Sequence, residues 1–65
     1  MSIEARIMDI ESKRAVLVDY IREYKKYNED YSTNEMDFYI ERAEEAIFNC
    51  DMKIKELRNC SVITN

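Results

Sequence analysis

Neither glycine nor proline occurs anywhere in this chain of 65 residues. Average usage would supply about 4–5 glycines and about 3 prolines in that length. Tight turns between strands draw on residues that tolerate φ > 0 or hold φ at about −65°, so an all-β or α/β fold is disfavoured. Disorder is disfavoured as well, because 46% of the residues are hydrophobic and isoleucine recurs at regular spacing. The expected class is all-α. The length allows one domain, taken as residues 1–65, and chains this short seldom bury enough surface to fold unaided.

The apolar residues of the first half step at helical three-four spacing: Ile3, Ile7, Ile10, Leu17, Ile21 and Tyr24, with Arg14 standing on one rung of the ladder. Ser2 reads as the N-cap and Glu4 suits the first turn, while Lys25 and Lys26 suit a last turn. A helix is therefore expected over about residues 3–27. The stretch Asn28 to Asn34 is rich in turn formers. Within it, Ser32 and Glu35 match a capping box, Tyr31 and Met36 match its hydrophobic staple, and Thr33 is a rival N-cap.

A second ladder follows: Met36, Ile40, Ala43, Ile47, Cys50, Ile54 and Leu57. It predicts a helix over about 33–60, with 61–65 as a frayed tail. Two ladders joined by a short turn make an antiparallel two-helix hairpin. Folding them about that turn sets Ile21 against Ile40, Ile10 against Cys50, Ile7 against Ile54, and Ile3 near Leu57. Lys25 then lies beside Asp37 and Glu4 beside Arg58, but Glu11 opposes Asp51 and Lys13 opposes Lys53. A shift of register or a second chain would relieve those like-charge contacts. Arg14 is read as packing its stem in the seam while its guanidinium reaches outward to Glu11, Glu44 or Asp51; a role in fixing register is the alternative.

One seam offsets little of the cost of ordering about 60 residues at roughly 1.5 kcal/mol each. Small proteins make up such a deficit with disulfides, metal or association. Cys50 and Cys60 lie ten residues apart on one helix, or about 15 Å along its axis. That is too far for an intramolecular disulfide, so they are read as reduced thiols of a cytoplasmic compartment. Metal is not expected either, because the chain has no histidine and no paired-cysteine spacing. Association remains, as a homodimer or higher homo-oligomer, with a four-helix bundle its simplest closed form. Met8, Ala15, Val16, Val18, Tyr20, Phe38, Tyr39, Phe48 and Met52 all fall off the ladders and would supply the contact area.

Net charge is −4, which argues against direct nucleic-acid binding. No apolar run exceeds four residues, so neither a membrane span nor a signal-peptide core is expected. No cofactor is expected, and catalysis has little to work with. There is no histidine, no glycine-rich phosphate loop and no C-x-x-C. Glu41, Glu44 and Glu45 share one helical face, yet without the Glu-x-x-His pairing of di-metal bundles they read as solvated surface. A non-enzyme is expected.

The turn end is the distinctive surface. Residues 29–45 hold seven acids (Glu29, Asp30, Glu35, Asp37, Glu41, Glu44, Glu45) against Arg42 as the one base, a local charge of −6. Tyr20, Tyr24, Tyr27 and Tyr31 fall within about 60° of one another on a helical projection, and Tyr39 joins from the second helix. Such a surface suits docking on the basic patch of a larger protein. The first functional expectation is thus a small acidic regulator or inhibitor of a partner protein, of a kind that suits phage-encoded or bacterial host regulators. Where that partner binds nucleic acid, the carboxylates would mask its phosphate-binding surface. The second expectation is a structural adaptor or subunit of a larger helical assembly, with Phe48, Met52, Met8 and Val16 buried.

Overall fold

The computed structural model describes residues 2–63, with side chains described through residue 60. Met1, Thr64 and Asn65 lie outside the described residues, and so does the end of the expected tail. Two helices, α1 (Ile3–Asp30) and α2 (Asp37–Ile63), form an antiparallel hairpin. All-α is the correct class. The molecule measures 53 × 15 × 12 Å, with a radius of gyration of 15.3 Å. A compact chain of this length would have about 11 Å. Two helices lying side by side make one layer, whereas a stable domain ordinarily needs two.

The seam follows the two ladders. Ile3, Ile7, Ile10, Arg14, Leu17 and Ile21 are half-buried on α1; Met36 in the turn and Ile40, Ile47, Cys50 and Leu57 on α2 are likewise half-buried. Only Ala43 and Ile54, each 7% exposed, are buried among the described residues. A core residue normally touches neighbours all round, and a single seam leaves one side of every rung facing water.

The ends of the helices differ from expectation, and the turn explains why. Ser2 does cap α1, its Oγ accepting the Ala5 N–H at 3.1 Å. At the other end α1 continues to Asp30, about one turn beyond Lys25 and Lys26, so its last turn has no base. Ser32 is not an N-cap. It takes φ 49°, in the left-handed region. The Thr33 N–H returns to the Asn28 carbonyl at 2.9 Å and the Ser32 N–H to that of Glu29 at 3.3 Å. These are the paired bonds of a Schellman C-cap, with serine in the position glycine usually fills. They satisfy carbonyls that would otherwise be orphaned at the end of α1.

With Ser32 committed to closing α1, the Ser32–Glu35 capping box is lost. Thr33 Oγ1 accepts the Glu35 N–H at 3.3 Å instead. Asn28 supplies the stronger cap from the opposite helix: its Oδ1 accepts the Met36 N–H at 3.0 Å, and its Nδ2 donates to Asp37 Oδ1 at 3.0 Å. The staple gives way too, since Tyr31 packs on Tyr27, ring centroids 4.6 Å apart, and is 69% exposed. α2 therefore starts at Asp37 rather than residue 33, and it runs past residue 60 to Ile63.

Because the turn pivots nearer Ser32 than expected, the register moves by about one helical turn. Asp51 receives Arg14 at 2.7 Å, and Glu11 receives Arg58 at 3.8 Å. Lys13 pairs with Asp9 at 3.4 Å, and Lys53 with Glu56 at 3.7 Å. The expected pairs Lys25–Asp37 and Glu4–Arg58 are replaced by Asn28–Asp37 and Glu11–Arg58. Glu11 and Asp51 thus each meet an arginine, while Lys13 and Lys53 each pair with an acid of their own helix. Outward reach of Arg14 to Asp51 is the arrangement found, with the stem left in the seam.

Candidate functional site

Contacts across the seam define two flanks of the hairpin. One carries Arg14–Asp51 and Glu11–Arg58, which line a shallow groove with Ile54, Lys55 and Asn59. The other carries aromatic rings. Tyr20 stacks near Tyr24 at 6.3 Å between centroids, Tyr24 meets Tyr39 across the seam at 5.7 Å, and Phe38 meets Tyr39 edge-on at 5.7 Å. Such offset and edge-to-face geometries are the favoured ones for aromatic pairs. The Arg42 guanidinium lies 5.4 Å from the Phe38 ring centroid, within cation–π range. Tyr27 and Tyr31 extend the surface toward the turn.

The tyrosine stripe expected along α1 is thus real, and α2 widens it. Tyr24 is half-buried by its contact with Tyr39, whereas Tyr20, Tyr27, Tyr31, Phe38 and Tyr39 are exposed. Phe48 and Met52, also exposed, are four residues apart on α2 and lie away from the seam and from the tyrosines. Val18, expected off the ladder, is half-buried, and so is Ala46.

The acids divide differently from the way the sequence suggested. All seven are exposed at the turn end. At about 100° per residue, Glu44 lies two turns before Asp51 and on the same face of α2, with Asp37 and Glu41 close to that line. That is the flank opposite the tyrosines. Glu45 points outward from α2, and Glu29 and Asp30 end α1. Glu35 alone joins the aromatic flank, where its Oε2 accepts from the Tyr27 hydroxyl at 3.3 Å. The charge of Glu35, with partial burial and that hydrogen bond, raises the Tyr27 phenol above its ordinary value. Aromatic and acidic residues share one end of the rod but face opposite ways.

Glu41, Glu44 and Glu45 are open to water, and among the described residues no three His, Cys, Asp or Glu side chains converge as a metal site. Cys50 is half-buried and Cys60 exposed, both free thiols. Among the described residues no helix is long and apolar enough to cross a membrane. Two contributors went unseen in the sequence: Asn28 as the lock of the turn, and Arg42 as the base set against the aromatic flank. An asparagine at a helix end hints at the first, and the i, i+4 spacing of Phe38 and Arg42 hints at the second.

Comparison of the chain with protein-family models, with curated proteins and with solved structures gives no match.

Proposed function

We propose that this chain is a non-catalytic protein-binding module that regulates or inhibits a larger protein bearing a basic patch. The observation behind this reading is the segregation at the turn end. One flank offers exposed aromatic rings, while the carboxylates of Asp37, Glu41 and Glu44 form a stripe on the other. A single-sign stripe steers a partner of opposite charge, and here it does so without engaging the aromatic flank. Where that partner binds nucleic acid, the stripe takes the place of backbone phosphates and blocks the site. A reducing cytoplasm suits a chain with two free thiols.

The test is retention of partners from the source cell's extract on immobilised protein. Reversal of Asp37, Glu41 and Glu44 to lysine is compared with equal reversal at Glu4, Asp9 and Glu23. Loss with the first set alone, together with release by salt, supports the reading. Equal retention by both sets overturns it.

A second reading, a structural adaptor in a larger helical assembly, is favoured by one feature: Phe48 and Met52 are 62% and 45% exposed on α2. That assembly would resist salt and fail with Phe48→Glu.

A further inference from the structure

We propose that the aromatic flank is the contact between two copies of this chain, related by a two-fold axis that crosses both helices at the level of Tyr27 and Tyr39. Three observations carry this inference, and none of them depends on the basic partner proposed above.

The first is area. The folded chain exposes 5394 Å². A compact monomer of this mass would expose about 4,400 Å². The excess, about 1,000 Å², is close to the roughly 800 Å² that each partner contributes to an interface of standard size. The hairpin is one layer thick, and a second copy laid on the turn end of one flank adds a second layer there.

The second is the distribution of charge. A chain with net charge −4 resists pairing with itself unless its acids are turned away. Here the stripe of Asp37, Glu41 and Glu44 occupies the opposite flank. Toward the turn, Glu35 and Arg42 lie at the edge of the aromatic flank, with opposite charges.

The third is self-complementarity. Glu35 lies four residues before Tyr39 and Arg42 three after it. An axis in the plane of the flank, crossing α2 between Phe38 and Tyr39, sets α2 of one copy antiparallel to α2 of the other. Glu35 of each copy then faces Arg42 of its partner, and Tyr39 of each faces Phe38 of its partner. On α1 the same axis passes at Tyr27, since the register pairs Asn28 with Asp37. An isologous contact demands that residue i meet j while j meets i, and one acid and one base straddling the axis meet that demand twice. The resulting dimer overlaps at the turn ends and leaves both acidic stripes outermost.

Sedimentation equilibrium on the purified full chain under reducing conditions tests the proposal. The wild-type protein is expected to dimerise reversibly. Glu35→Arg and Arg42→Glu are each expected to weaken self-association about 10-fold or more, because each places like charges together at two symmetric points. The double variant restores both pairs and is expected to recover dimerisation. A wild-type monomer at every concentration overturns the proposal. So does a dimer indifferent to the single variants, or a double variant no better than the singles. Helicity by circular dichroism, followed alongside, separates loss of folding from loss of contact. Retention of a basic partner is measured apart from this, so either reading can fail alone.

Discussion

Arg14 and Asp51, 37 residues apart in sequence, meet across the hairpin with the guanidinium Nε donating to Oδ1 at 2.7 Å. A longer contact runs from Nη2 to Oδ2 at 3.5 Å. The pair forms in the register that the turn at Ser32 sets. The hydrogen bond from Arg14 and the charge of Asp51 raise the guanidinium above an already high ordinary value. On the alkaline side its contribution is therefore complete below arginine's ordinary titration and is lost as pH climbs through the higher folded value. Both side chains are about half exposed, so salt screens them. Asp51→Ala should lower the thermal midpoint at low salt, with the difference narrowing at about 1 M salt. Arg14→Leu, which completes the ladder with an apolar side chain, should raise it. A fall with Arg14→Leu would show that the ion pair outweighs the packing it displaces.

Ser32 holds a left-handed conformation that glycine adopts without strain. Ser32→Gly should stabilise the protein by about 0.5–1 kcal/mol, after allowance for the greater freedom of glycine in the unfolded chain. In a domain this small, that is a rise of several degrees in the melting midpoint. Were Ser32 an N-cap instead, the same change would be slightly destabilising, so the sign of the shift decides between the two roles.

Asn28 joins the ends of both helices through its carbonyl and both ends of its side-chain amide. Asn28→Ala strands the half-buried Met36 N–H and should cost about 1–2 kcal/mol in urea unfolding. Asn28→Asp keeps that acceptor but sets a second carboxylate against Asp37. It should be the worse of the two variants at neutral pH and recover as the solution is acidified. Equal stability of the two at neutral pH would remove Asp37 from the lock.

Tyr27 is raised by Glu35, so its neutral form is favoured in the folded protein. This stability is complete below the ordinary phenol value, about 10, and disappears as pH climbs through the higher folded value. In a spectrophotometric titration of tyrosinate, one of the five tyrosines should ionise late. Glu35→Gln should bring it back among the others. An unaltered curve in that variant would break the link between the two residues.

Most of the fold was legible because helical periodicity needs no special residues. Every rung from Ile3 to Leu57 lies in the seam, and even the polar rung, Arg14, behaves as a snorkelling side chain. The turn was not legible, for a physical reason: its left-handed residue is serine, which carries none of glycine's signal, while Ser32 and Glu35 happen to match a capping motif. That one error at the pivot moved the expected register by about a turn and set Glu11 against Asp51, which in the protein each meet an arginine. The tyrosine stripe could be read from angle alone. The separation of tyrosines from acids could not, because it depends on which flank of α2 meets which flank of α1. The contact between Tyr24 and Tyr39 settles that choice.

A hairpin with a single thin seam is expected to fold only as it associates, and thermal unfolding against protein concentration tests this most directly. Circular dichroism melts over about a thousand-fold range of concentration should show the midpoint rising steadily, as mass action requires when folding is coupled to association. A cooperative transition at one fixed temperature across that range would mean that the lone hairpin is stable and that folding does not need a second chain.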